Sequence, residues 1–118
     1  MNEFKKALTE RDILNDHLKR LIDISTWSGE LNDRVVTVGR MYDVGQAVLD
    51  SARGSDEHDT VRDTVYAIER ELLKCSVQTG PNALHVITLT DILNVNVELS
   101  EKLCKKYKLK EDTNNDRN

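Results

Sequence analysis

Residues 31–52 read LNDRVVTVGRMYDVGQAVLDSA, and apolar or small side chains recur in this stretch at alternating steps of four and three. These positions are Leu31, Val35, Val38, Tyr42, Gly45, Leu49 and Ala52. The spacing is that of an α-helix with one continuous buried face. A second set with the same spacing follows at Val61, Val65, Ile68, Leu72, Cys75 and Thr79. Two such faces in succession predict a helical hairpin onto which the remaining segments dock.

The composition agrees with a helical globular protein. The chain has 118 residues, of which 32% are charged and 38% hydrophobic, a balance typical of folded rather than disordered chains. One proline and five glycines leave little material for the turns of an all-β fold. The net charge of −4 argues against a protein that binds nucleic acid by general electrostatic attraction.

The sequence also indicates a compartment. It contains no run of 18 apolar residues that could span a membrane, and its charged first residues lack the apolar core of a signal peptide. Cys75 and Cys104 have no CxxC spacing, and we expect both to be reduced. These features predict a cytoplasmic protein without a membrane partner.

Start and stop signals predict where the helices lie. Thr9 and Asp12 have the form of a capping box, Ser28 can cap a second helix, and Gly80-Pro81 should end the third. The predicted helices are residues 9–26 after a looser turn at 2–8, residues 29–53, a third from the loop 54–58 to Thr79, and residues 83–109. Trp27 is predicted to cover one end of the bundle. The stretch ALHVITLT at 83–90 alternates in polarity, so a strand remains the alternative for those residues.

We therefore predict an all-α fold, a compact antiparallel four-helix bundle of up-down-up-down connectivity. Residues 1–109 should form a single helical domain, and residues 110–118 should form a disordered tail because they have nothing to bury. We find no internal repeat. Gly45 lies on the buried face of the second helix, and we expect it to mark the closest approach of a neighbouring helix.

Three apolar residues of the last predicted helix lie off its main buried face. These are Leu84, Ile87 and Val95. An apolar strip outside the core is typical of an interface with another subunit or protein. We interpret these residues as partner-binding, although the N-terminal segment could cover them instead.

Two polar residues lie on the main apolar face of the same helix, and we consider them as ligand-binding. Asn96 and His85 would need hydrogen-bond partners if buried, and bundle cores can host small-molecule sites. Lysines at 102, 105, 106, 108 and 110 could add positive charge. No spacing of histidines or cysteines indicates a metal site, and we expect no cofactor.

Arg53 and His58 are separated by four residues. This spacing resembles the Arg-x4–6-His motif of the HEPN family, small all-α domains that are often dimeric and of which some are ribonucleases. The resemblance implies that Arg53 would stabilise phosphate charge while His58 moved a proton during attack by the ribose 2′-hydroxyl.

The sequence therefore predicts a small accessory or regulatory protein, without enzymatic activity, that binds another protein through a helical face and forms a homo-oligomer. Its size is typical of factors carried by phages and mobile elements. Two alternatives stay open: a HEPN-like ribonuclease using Arg53 and His58, and a bundle that sequesters a small anionic ligand such as a nucleotide.

Overall fold

The computed structural model describes residues 2–108, which form four helices and four short strands. In chain order the elements are α1 (Glu3–Ile24), β1 (Thr26–Ser28), β2 (Asp33–Thr37), α2 (Val38–Ser51), α3 (His58–Lys74), β3 (Val77–Gln78), β4 (His85–Thr88) and α4 (Leu89–Tyr107). The strands make one antiparallel sheet in the order β1-β2-β4-β3. The tail predicted at 110–118 lies outside the described residues.

The prediction of an all-α, up-down-up-down bundle is wrong, because two predicted helices begin with strands. Residues 33–37 form β2 and residues 85–88 form β4. Both segments are rich in β-branched side chains, which pack well on a pleated surface. The helices begin only after these strands. The Oγ1 atoms of Thr37 and Thr88 accept hydrogen bonds from the backbone N–H groups of Arg40 and Asp91, each at 3.2 Å.

Three other local predictions are also corrected. α1 begins at Glu3 rather than Thr9, because the Asn2 side chain accepts a hydrogen bond from the backbone N–H of Lys5 at 2.8 Å and caps the helix. The third helix ends at Lys74 rather than Thr79, and the next residues form β3. Trp27 lies on the edge strand β1 with its side chain exposed, so it does not cover the core.

The two halves of the fold repeat one pattern of helix, strand, strand and helix, which the sequence analysis missed. Thr26 pairs with Val35 in the first hairpin, and Val77 pairs with Val86 in the second. Each residue of the second pair lies 51 positions after its counterpart, from 26 to 77 and from 35 to 86. The two hairpins therefore have the same pairing register.

The centre of the sheet relates the halves by an approximate two-fold axis. Val36 of β2 pairs with Ile87 of β4, and these two residues are themselves counterparts at the same offset of 51 positions (36 to 87). Antiparallel pairing about such a central pair is what a two-fold axis through the sheet produces. Ser25 and Ser76 also correspond, since each Oγ donates to the backbone carbonyl three residues earlier.

The helices pack across the two halves rather than within them alone. α1 contacts α3 and α4, and α3 contacts α2. The main core includes Leu14, Leu21, Val36, Met41, Val44, Ile68, Leu72, Ile87, Ile92, Val95 and Leu103. The prediction for Gly45 is confirmed, because a Cβ there would collide with side chains of α3. None of the helices within residues 2–108 is both long and apolar enough to cross a membrane.

Candidate partner-binding groove

The predicted partner-binding strip is not one continuous surface. Ile87 is 0% exposed and Val95 is 4% exposed, whereas Leu84 is 72% exposed. Ile87 points to the core from the inner face of β4, and Val95 packs in the core from α4. The prediction fails for Ile87 because residues 85–88 form a strand rather than a helix, and it fails for Val95 because that residue lies on the buried face of α4 with Ile92. Of the three, only Leu84 is accessible to a partner.

The predicted ligand-binding pair, His85 and Asn96, does not converge on one site. Nδ2 of Asn96 donates to the backbone carbonyl of Leu14 at 3.3 Å, which ties α4 to α1 inside the bundle. His85 is exposed on β4, where it pairs with Gln78 at the edge of the sheet. The amide of Asn96 therefore serves helix packing, and the imidazole of His85 lies on a different surface.

Leu84 and His85 instead meet at a groove of about 390 Å³, which we call the sheet-edge groove. It lies where α2 begins, between the end of α3 and the start of β4. Its lining residues are Thr37, Val38, Gly39, Leu73, Ser76, Leu84 and His85. This lining contains no Asp, Glu, Lys or Arg, so the groove is suited to apolar contacts.

The counterpart of this groove in the first half is closed by polar contacts. Asp33 and Arg34 occupy the positions of Leu84 and His85, 51 residues earlier (33 to 84 and 34 to 85). Oδ2 of Asp33 accepts hydrogen bonds from the backbone N–H of Thr90 at 3.1 Å and from its hydroxyl at 2.8 Å. These two bonds hold the pKa of the Asp33 carboxyl below its usual value, and the bond from the hydroxyl has the larger effect.

Arg34 completes the closed arrangement. Its Nε donates to Oγ of Ser25 at 2.7 Å, and Nη2 donates to the backbone carbonyl of the same residue at 2.6 Å. Asp33 and Arg34 of the first hairpin are therefore both held by hydrogen bonds to other residues of the chain. In the second half, Leu84 replaces the carboxylate and Gly39 replaces Thr90 (39 to 90). The sheet-edge groove is a place where the approximate two-fold symmetry fails.

Two further apolar side chains at or next to the groove are exposed to solvent. Leu73, which lines the groove, and Val77, which follows the lining residue Ser76 in the sequence, are both partly exposed. Val77 belongs to β3, which is an edge strand. Sequence reasoning named Leu84 but not these neighbours. The available signal was the recurrence of a β-branched pair followed by threonine, at 35–37 and 86–88, which places both hairpins and both helix starts.

Arg53 and His58 flank the turn between α2 and α3. Nη2 of Arg53 lies 2.7 Å from Oδ1 of Asp50, and Nδ1 of His58 lies 3.9 Å from Oδ1 of Asp59. Arg53 is thus paired with a neighbouring carboxylate, whereas the distance at His58 is too long for a hydrogen bond. Neither side chain lines the sheet-edge groove. Within residues 2–108, no group of three or more His, Cys, Asp or Glu residues is placed to hold a metal ion.

No protein family matches this chain, and no curated protein or solved structure is similar to it. Its function is therefore inferred from the geometry of the described residues.

Proposed function

We propose that this chain is a small accessory or regulatory protein, without enzymatic activity, that binds another protein at the sheet-edge groove. One observation carries the proposal: Leu84 is 72% exposed in an uncharged groove whose counterpart is closed by Asp33. A leucine in that setting contributes nothing to the core of its own chain.

The energetics favour a protein partner over solvent. Complete burial of a leucine side chain stabilises a complex by about 1.5–3 kcal/mol. Leu73 and Val38 line the same groove as Leu84, and apolar patches of this kind are typical of sites for protein interaction. Gly39 leaves open space at the groove, because even a Cβ atom at that position would contact nothing within 4 Å.

The first partner we propose is a second copy of the chain, acting in the cytoplasm. A two-fold dimer would bring the two sheet-edge grooves together through identical surfaces. Cys75 and Cys104 are free thiols, as is usual for proteins of a reducing compartment.

Sedimentation velocity at tens of micromolar tests the dimer. We expect the wild type to associate and Leu84→Asp to be monomeric, because a carboxylate in the interface would have to be desolvated. Val97→Asp is the matched control: Val97 is exposed on α4, away from the groove, and this variant should still associate.

A photo-crosslinking residue placed at position 84 tests binding to a different protein if the wild type is a monomer. Introduced in the native host, it should cross-link a defined partner that the same residue at position 97 does not capture. Equal labelling from both positions, together with a monomeric wild type, would overturn the proposal.

A further inference from the structure

A second groove, of about 330 Å³, lies at the end of the bundle remote from the sheet. We call it the bundle-end groove. It is enclosed by the first half of α1, the first half of α3 and the last turns of α4. Its apolar lining consists of Leu14, Ala67, Ile68, Leu99 and Leu103. Its charges come from three lysines (Lys6, Lys102 and Lys106) and three carboxylates (Glu3, Glu10 and Asp63), and Thr60, Thr64 and Tyr107 complete the lining.

The counterpart of this groove in the other half is filled by apolar side chains. Val48, Val61 and Val65 form a buried cluster there, and Ile13 packs against it. At the same offset of 51 positions, Glu10 stands in place of Val61 (10 to 61) and Thr64 in place of Ile13 (13 to 64). The bundle-end groove therefore carries polar groups where the equivalent space holds hydrocarbon.

One corner of the groove is fixed by its own hydrogen bonds. The carboxylate of Glu10 accepts hydrogen bonds from the hydroxyl of Tyr107 and from Nζ of Lys106. The same Nζ lies 4.9 Å from the centroid of the Tyr107 ring. These contacts hold an acceptor, a cation and an aromatic ring in defined positions at the rim.

Two other lysines at the groove are free to bind a ligand. Neither Lys6 nor Lys102 makes a side-chain hydrogen bond or ion pair with another residue in the described part of the chain, although both line the groove. They stand on different helices, α1 and α4. Two lysines at one groove that have no ion-pair partner among the described residues can interact with the negative charge of a small anion.

We propose that the bundle-end groove binds a nucleoside monophosphate. The apolar lining would receive the base, the carboxylates of Glu10 and Asp63 would accept hydrogen bonds from amino or hydroxyl groups of the nucleoside, and Lys6 and Lys102 would neutralise the phosphate. The volume lies at the lower end of the range for small-molecule sites, about 300–1,000 Å³.

The polar lining distinguishes this class from other amphipathic anions. A fatty acid would place methylene groups against Glu10 and Thr64 and would leave their oxygen atoms without new partners, which is unfavourable. Inorganic phosphate would leave the apolar lining uncovered. A nucleotide offers hydrogen-bond donors, an apolar ring and a negative charge together. The site is independent of the sheet-edge groove and of any protein partner.

Isothermal titration with AMP, GMP, CMP and UMP tests the proposal, with decanoate and inorganic phosphate as comparison ligands. We expect at least one nucleotide to bind, and the double variant Lys6→Ala/Lys102→Ala to bind it at least about tenfold more weakly, a difference of about 1.4 kcal/mol. Lys19→Ala is the matched control, since Lys19 is exposed on α1 and does not line the groove; its affinity should equal that of the wild type.

A variant that leaves every charge in place separates shape from electrostatics. Ala67→Leu should fill the groove and abolish nucleotide binding, and circular dichroism verifies that the variant stays folded. The proposal is overturned if no nucleotide binds at millimolar concentration, if inorganic phosphate binds as tightly as the nucleotides, or if decanoate alone binds. Unchanged affinity in the double lysine variant would overturn it as well.

Discussion

Gly45 of α2 lies directly beneath the carboxylate of Glu69 of α3. A Cβ atom at residue 45 would overlap Oε2 of Glu69 and would stand 3.1 Å from Cγ1 of Val65. Glu69 is 8% exposed, and its carboxylate makes no hydrogen bond or ion pair with another residue described. The absence of a side chain at Gly45 allows α2 and α3 to approach closely, and it leaves the largely buried carboxylate of Glu69 without a charged partner in the described part of the chain.

Gly45→Ala should destabilise the protein. The added methyl group would force Glu69 or the helices to move, and overpacking of this kind costs about 1–3 kcal/mol; the better helix propensity of alanine offsets about 1 kcal/mol. We expect a net loss of up to about 2 kcal/mol in chemical denaturation. Gly39→Ala is the control, because its new Cβ meets nothing within 4 Å, and it should be neutral or stabilising. Equal effects at the two glycines would contradict the close approach at Gly45.

Glu69→Gln should stabilise the protein at neutral pH by an amount on the order of 1 kcal/mol. Burial disfavours the charged carboxylate and raises the pKa of Glu69 above its ordinary value of 4.5. The folded state then binds this proton more tightly than the unfolded state, so wild-type stability falls as the pH rises from 4.5 through the raised pKa. The advantage of the variant should therefore shrink as the pH is lowered toward 4.5. Exposed Glu101→Gln should show no such trend.

His17 should make the protein sensitive to acid. It is 1% exposed, and neither ring nitrogen has a hydrogen-bond partner among the described residues. Burial is the main cause that lowers the pKa of His17 from 6.5 to about 4. Asp16 and Arg20 on the same helix exert smaller and opposite effects.

Protonation of this histidine favours the unfolded chain, where its pKa is higher. The contribution of the neutral imidazole to the free energy of unfolding is therefore fully present above pH 6.5. It is lost as the pH falls toward 4, which lowers the free energy of unfolding by about 3 kcal/mol in all. Urea unfolding at several pH values should show this decline in the wild type. His17→Leu should remove most of the slope between pH 6.5 and 4.5, and identical slopes in the two proteins would rule out the buried neutral imidazole as its source.

Thr37→Ala and Thr88→Ala should destabilise the protein by similar amounts, about 1 kcal/mol each, because each removes the side-chain cap of a helix. We expect the two losses of stability to be similar because Thr37 and Thr88 are counterparts under the two-fold relation. Thermal unfolding of both variants measures these losses. A large cost at one position with none at the other would show that the repeat does not extend to the helix starts.

The sequence predicted the helical segments better than the strands, for a physical reason. Val35 and Val38 fit a helical spacing with Tyr42, yet Val35 also fits the alternation of a strand that ends at Thr37. In so short a run, the two periods cannot be told apart without the partner strand. That partner, β4, lies 51 residues away, and its own assignment carried the same ambiguity.

The candidate site was predicted only in part, because accessibility depends on tertiary packing. Leu84 and Ile87 look equivalent in a helical projection, but on a strand they belong to opposite environments, one in solvent and one in the core. The sequence predicts Asn96 as a polar residue on the apolar face of its helix, and the side chain is half-buried there. Its partner, the carbonyl of Leu14, belongs to a helix that no local pattern connects to it.

The approximate two-fold relation has a consequence for how chains can associate. The two halves meet through equivalent elements: β2 of the first half pairs with its counterpart β4 of the second, and equivalent helix faces pack together. A single turn at 52–57 joins the two halves. The pairing of β2 with β4 and the packing of α1 and α2 on α3 are made by residues outside that turn, so halves from two different chains can make the same contacts. Shortening the turn should therefore convert the protein into a domain-swapped dimer, in which each sheet is shared between two polypeptides.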